Sequence, residues 1–246
     1  MLTAALVAGV LGGVVASAVQ AFTTIPLIHL AEAHEDGGGG AAAPAAGQAA
    51  PDHGTHDHGA QDHGTHDHGA AAAGHDHGAN AWMPAEGVER VAYTVLANVI
   101  AGVGFALILV ACFVLHGAPM DGRRGVVWGM AGFTAFALAP SLGLPPELPG
   151  MFAAELVARQ TWWFAAALGT AAGLWLMVFG NAWAWRVVGM AVLVAPHFWV
   201  PHPEGMGGGP PPELSAHFVT ASLATAAVFW AVLGWVGGTV HRRLAA

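Results

Sequence analysis

Eight histidines fall between His53 and His77, in a run that reads DHGTHDHGAQDHGTHDHG at residues 52–69 and returns as HDHG at 75–78. Neutral imidazole is the commonest protein ligand for late first-row metals, so the chemistry on offer is capture of a divalent metal ion. His53, His56, His58, His63, His66, His68, His75 and His77 supply it. Pairs such as His56 with His58, or His75 with His77, can chelate one ion through neighbouring imidazoles while Asp57 or Asp76 adds charge. The repeat has a period of ten, beginning at Asp52 and again at Asp62. Such tandem sequence has no apolar periodicity to offset its ordering entropy, so residues 31–89 are expected to form a disordered loop when metal-free. Each capture orders a flexible chain, which makes the sites weak, labile and sensitive to imidazole protonation near ~6.5. Their high local concentration nevertheless retains ions for transfer.

Three further clusters could bind a divalent cation. In HLAEAHE, residues 29–35, the i, i+3 spacing places His29 and Glu32 on one helical face, with His34 or Glu35 beyond. A polar collar at a water interface is the plainer reading of that pair. The stretch APHFWVPHPEGMGGGPPPELSAH places His197, His202, Glu204, Met206, Glu213 and His217 within twenty-one residues. His197 lies in an apolar, proline-broken segment, where an ionisable group is expensive unless it faces protein or a pathway. Its ordinary alternative is a histidine satisfied by a neighbouring backbone carbonyl. The third cluster carries Glu147, Glu155 and Arg159; the i, i+4 spacing predicts a Glu155–Arg159 ion pair and leaves Glu147 as the cation contact. Trp162 and Trp163 fit an interfacial aromatic belt. His116, Asp121 and His241 form a thinner set for an exit at the other face.

The elements that must position these groups are membrane helices. Of 246 residues 55% are hydrophobic and only 9% charged, with a mean hydropathy of +0.56. A soluble domain carries about 25% charged residues. Uncharged runs at residues 2–30 and 91–115 exceed the roughly 20 residues a helix needs to cross a bilayer. Apolar segments follow at 125–144, 161–179, 183–200 and 216–240. The expected fold is an all-α, polytopic membrane bundle of six transmembrane helices: a first helix over 1–30, the His-rich loop over 31–89, and five helices over 90–246. Ala16, Ser17 and Ala18 resemble a signal-peptidase site, but a positive n-region is missing and the apolar run continues to Leu30, which favours retention of the first helix.

Charge sets the orientation. With both termini cytoplasmic, Arg123, Arg124, Arg186, Arg242 and Arg243 lie inside, and only Arg90 and Arg159 outside, as the positive-inside rule requires. Of fifteen acidic residues only Asp121 falls inside. The His-rich loop then faces the periplasm or exterior.

Two absences narrow the function. The chain has no lysine, hence no Walker A phosphate loop, and its single cysteine, Cys112, excludes an intrachain disulfide and any Cys-x-x-Cys motif. Cys112 reads as core packing. A weak parallel repeat runs from VVWGMA at 126–131 through Ala139-Pro140 to PPELPGM at 145–151, and again from VVGMA at 187–191 through Ala195-Pro196 to PHPEGM at 201–206. The interval is four residues shorter in the second copy. Pro140 and Pro196 each remove a backbone donor near a helix end, and transporters often build their sites from such interrupted repeats. Plain helix termination before a loop is the alternative. Gly9 with Gly13, Gly125 with Gly129, Gly169 with Gly173 and Gly234 with Gly238 have the spacing that lets helices approach closely.

GLPPELPGM at 143–151, ARQTWW at 158–163, APHFWVPHP at 195–203 and LSAHFVTASL at 214–223 resemble the CbtA family of cobalt transporter subunits. The likeness covers residues 1–30 and about 90–246. It implies a small multi-helix membrane protein for cobalt uptake, paired with a one-helix, histidine-bearing CbtB-like subunit. The combined expectation is a non-enzymatic inner-membrane importer of a divalent metal, with Co²⁺ as substrate, Ni²⁺ or Zn²⁺ as alternatives, no tightly bound cofactor and no nucleic-acid partner. A membrane sensor or metal chaperone, or a resistance exporter, stands as the rival. A membrane enzyme using the same ligand sets is a weaker third.

Overall fold

The computed structural model describes residues 1–38, 84–85, 87–203, 205 and 209–245. The histidines of the repeat, Glu204 and Met206 therefore lie outside the described residues, and so does most of the loop expected to be disordered.

Every regular element among the described residues is helical, which is the all-α class expected. Helix α1 spans Leu2–Phe22 and breaks at Thr23, whose hydroxyl donates to the Val19 carbonyl at 2.7 Å. Helix α2, Thr24–Gly38, follows at once, with Pro26 in its first turn where no donor is missed. The single uninterrupted crossing expected over residues 2–30 is thus divided, and helix continues past Leu30 into the segment assigned to the loop. Helix α3, Val88–His116, closes on Gly117 in the left-handed region (φ 68°), whose N–H reaches the Phe113 and Val114 carbonyls.

The next two segments are interrupted as their prolines suggest. Helix α4, Gly122–Phe133, is capped by Asp121, which accepts the Arg124 N–H, and runs into a π-helical stretch, Thr134–Leu138, and a last short turn, α5, Ala139–Ser141. The Ala139 N–H reaches back to the Thr134 carbonyl beside Pro140, which has no N–H to offer Phe136. Helix α6 covers Leu156–Phe179, and α7, Trp183–Val194, tightens into a 3₁₀ turn over Ala195–Phe198. The two copies of the weak repeat therefore differ: the longer interval contains the π-helical stretch before its Ala-Pro pair, whereas the shorter one is α-helical and the 3₁₀ turn begins at Ala195. Helix α8, Pro212–Ala245, completes the chain.

Among the described residues four helices are long and apolar enough to cross a membrane: Leu2–Phe22, Val88–His116, Leu156–Phe179 and Pro212–Leu244. The other two expected crossings are the divided segments, Gly122 to Ser141 and Trp183–Phe198.

Helix α1 packs between α3 and α8, α4 lies along α8, and α6 pairs with α7. Small residues set these contacts. A Cβ on Gly102 of α3 would meet the Gly9 carbonyl of α1; one on Gly125 of α4 would meet the Gly234 carbonyl of α8; one on Gly189 of α7 would meet the Gly173 carbonyl of α6. The main core gathers Ala4, Ala8, Leu109, Phe113, Phe133 and Leu233, while Phe136 from the π stretch stacks on Trp230 of α8 at 5.6 Å. A smaller cluster, Ala31, Leu148 and Phe218, ties α2 to the loop before α6 and to the start of α8. Met1, Gly117, Asp121 and Arg242 line one cleft, so the N-terminus, the end of α3 and the end of α8 share one end of the bundle.

Candidate functional site

At the opposite end, His29 and Glu32 do share one face of α2, and the structure adds a partner. Glu32 Oε1 accepts from Arg90 Nη2 at 2.7 Å, and Glu32 Oε2 stands 3.1 Å from His29 Nδ1. Arg90 comes from the first turn of α3, so the cluster bridges α2 and α3. The Arg90 hydrogen bond, and then His29, hold the Glu32 carboxyl below its usual range against the opposing effect of partial burial. His34 instead turns back to the Leu30 carbonyl at 2.6 Å, and Glu35 lies against Gly150 of the loop before α6.

His29 and Arg90 stand at the mouth of a cavity of about 650 Å³ between α1, α2, α3 and α8. Its walls are mostly apolar, but Gln20, Thr94, Asn98, Ser222 and Thr225 also face it. Asn98 Nδ2 donates to Ser17 Oγ at 2.9 Å and to Gln20 Oε1 at 2.6 Å. Thr23 and Thr225 hydroxyls lie 3.4 Å apart, linking α1 to α8. Sequence reasoning centred on charged and imidazole ligands and passed over these neutral groups. The available signal was the presence of two amides, Gln20 and Asn98, inside runs that otherwise read as lipid-soluble helix.

His197 is half-buried in the 3₁₀ turn that ends α7. Its Nε2 lies 3.0 Å from the Ala139 carbonyl, and its ring packs edge-on to Trp162 at 5.7 Å. Only a protonated Nε2 satisfies that carbonyl, which in the neutral ring leaves Nδ1 as an acceptor. The Trp162 indole N–H donates to the Pro196 carbonyl at 2.8 Å. His202 and His217 are exposed, and neither is hydrogen-bonded to His197.

Around α6 the pairing differs from expectation. Arg159 Nη1 donates to Glu147 Oε2 at 3.0 Å, whereas Glu155 caps α6 by accepting the Val157 and Ala158 N–H groups at 2.8 and 2.7 Å. The i, i+4 rule fails here because Glu155 precedes the helix, where exposed backbone donors outbid a side chain one turn away. Those N–H bonds also hold the Glu155 carboxyl below its usual range. At the other end, the His116 ring packs on Trp128 and Phe179, His241 packs on Phe113, and Asp121 serves as the α4 cap.

Among the described residues no three His, Cys, Asp or Glu side chains stand close enough together to hold one metal ion. What the structure assembles is an acid, a base and a guanidinium beside a mostly apolar cavity that also presents a few neutral polar groups, and a separate histidine between two helix breaks.

A family model described as "Probable cobalt transporter subunit (CbtA)" matches residues 1–242. No curated protein and no solved structure shows significant similarity to the chain.

Proposed function

The chain belongs to the CbtA family of probable cobalt transporter subunits, and from that premise we propose that it carries a divalent metal ion, Co²⁺ first, inward across a bacterial inner membrane. It is a multi-pass membrane protein, with four helices long and apolar enough to cross. In this reading the two divided segments cross as well, making six. Both termini are cytoplasmic, and the His-rich loop lies outside, where its imidazoles collect ions at low concentration.

The observation that carries the proposal is the Glu32–His29 pair beside a cavity between four helices, whose lining includes His29 and the Glu32 partner Arg90. A carboxylate and an imidazole suit a borderline ion such as Co²⁺. Arg90 already occupies the carboxylate, but unit charges 4 Å apart attract by about 4 kcal/mol at the effective dielectric of a protein surface, and a divalent ion doubles the charge product. An arriving ion therefore competes with the guanidinium for Glu32. His197 through Nδ1, and Glu147 after release from Arg159, are the next ligands in this reading, with His202, His217 and Glu204 as further candidates from the sequence.

No nucleotide motif is present to drive the step. The membrane potential supplies about 2.3 kcal/mol per charge per 100 mV, so a divalent cation moves inward without ATP. The family description as a subunit implies partners, and a one-helix CbtB-like chain is the expected one. Accumulation of radiolabelled Co²⁺ by cells with and without the protein tests the reading. Increased accumulation that collapses with the membrane potential is expected. Metal binding with unchanged uptake would make the protein a sensor or chaperone, and reduced accumulation would make it an exporter.

A further inference from the structure

Gln20 and Asn98 have no part in the entrance just described. Both lie inside helices long enough to cross a membrane, Gln20 in α1 and Asn98 in α3. Amides within such apolar helices are costly where they are buried without a hydrogen bond. Their bonds are unequal, however. Asn98 commits its amide nitrogen to Ser17 and Gln20, and Ser17 passes its own proton to the Gly13 carbonyl at 2.9 Å. Acceptors are left over: Asn98 Oδ1 has no partner among the described residues, and Gln20 Oε1 keeps a second lone pair. Holding α1 to α3 does not explain the pair, because Gly9 and Gly102 already bring those backbones into contact.

The leftover oxygens belong to residues that line the 650 Å³ cavity beneath His29 and Arg90. At about 30 Å³ per water that volume holds on the order of twenty waters, so an ion with its hydration shell fits. Asn98 follows Arg90 by eight positions on α3, which sets it about 12 Å further along the helix axis.

We propose that Gln20 and Asn98 form a transit site for a partly hydrated divalent cation, one step inside the Glu32 entrance; the proposal rests on the import reading. Neutral oxygens bind a borderline ion less tightly than imidazole or carboxylate does. That weakness suits passage, since an ion must leave a conduction site as readily as it arrives.

The test uses the full chain. At pH ~5, below the usual imidazole pKa of ~6.5, histidine-bound Co²⁺ is released. Purified wild type, Asn98→Asp, Gln20→Glu and Ser17→Ala are loaded with Co²⁺, washed at that pH and assayed for retained metal. Either carboxylate variant is expected to retain extra metal, rising toward about one ion per chain, because added ligand charge converts a weak site into a trap. Ser17→Ala, which loosens Asn98 but adds no ligand charge, is expected to retain no more metal than wild type. If neither carboxylate variant retains more than wild type, the transit site is overturned whether or not the protein imports.

A second arm measures radiolabelled Co²⁺ uptake by Asn98→Leu and Gln20→Met at membrane abundances matched to wild type, with a loss of about tenfold expected. Uptake by wild type and both variants at the same rate overturns the transit site and leaves the import reading standing. No uptake by wild type, with extra metal held by the carboxylate variants, supports the site and removes the import reading.

Discussion

His197 Nε2 and the Ala139 carbonyl oxygen are 3.0 Å apart, and that contact joins the two Ala-Pro breaks. Ala139 precedes Pro140 at the end of the π stretch; His197 follows Pro196 in the 3₁₀ turn. The second break is held in the same way, with the Trp162 indole donating to the Pro196 carbonyl. Each of these carbonyls also accepts a backbone N–H, Ala139 from Leu142 at 3.1 Å and Pro196 from Trp199 at 3.2 Å, so the rings fill second lone pairs. The breaks are thus held locally by backbone N–H groups and tied to neighbouring elements by ring nitrogens, and the weak sequence repeat becomes a physical junction between its own copies.

Replacing His197 by Ala removes one of two donors to Ala139 and the contact with Trp162, and because the Leu142 N–H remains, stability in detergent should fall by about 1 kcal/mol. His197→Gln places an amide N–H near the same position and should recover part of that loss without restoring an imidazole Nδ1. Thermal unfolding and Co²⁺ uptake of the two variants separate the roles. Uptake is expected to fall in both. Full uptake by His197→Gln would show that His197 serves the junction alone.

The Glu32–Arg90 pair gives a prediction about acid. Its carboxyl is held below the usual range by Arg90 and then His29, so the stabilisation is complete above the ordinary Glu pKa of ~4.3 and is lost as pH falls through the lowered value. Both partners are about a third exposed, so the contribution should be below about 1 kcal/mol and should shrink with salt. Wild type should lose more thermal stability than Glu32→Gln between pH ~6 and pH ~3. Equal losses would mean that the pair does not hold α2 to α3. The same variant should need more Co²⁺ for half-maximal uptake at neutral pH.

Close helix approach gives the most severe predicted effect. A leucine at Gly234 meets the Gly125 backbone of α4, which cannot yield as a side chain can. Gly234→Leu should cost about 3 kcal/mol or more and reduce the amount of folded protein in the membrane. Gly104→Leu is the control, because a Cβ there meets nothing within 4 Å. Comparable loss in both variants would mean that added bulk, rather than the α4–α8 contact, is responsible.

The sequence made the helices legible because uncharged runs and glycine spacing are local signals. Pro140 and Pro196 likewise marked both breaks, although not that one widens to π and the other tightens to 3₁₀. Three-dimensional partners were not legible. The Glu32–Arg90 pair joins residues 58 positions apart, and spacing alone favoured Glu155 over Glu147 for Arg159. Gln20 and Asn98 escaped notice because a single amide in an apolar run is unremarkable until its counterpart is seen across the helix interface. For His197 the plainer alternative proved visible in its carbonyl contact, while its place in metal transfer is a matter for uptake measurements.

The histidine repeat supports a prediction of a different kind, because the proposed import reading assigns it capture and not passage. In sequence its eight imidazoles fall between α2 and α3, the helices that carry the Glu32–Arg90 pair, so under the import reading an ion bound there would be tethered to the chain that carries that pair. Tethering raises the ion's effective concentration without changing the route it follows. Deleting residues 52–78 should therefore raise the Co²⁺ concentration needed for half-maximal uptake while leaving the maximal rate near wild type. Lowering the external pH toward ~5 should have the same effect on wild type and little effect on the deletion variant, since protonated imidazole does not bind metal. Uptake lost at every Co²⁺ concentration on deletion would show that the repeat is part of the route itself.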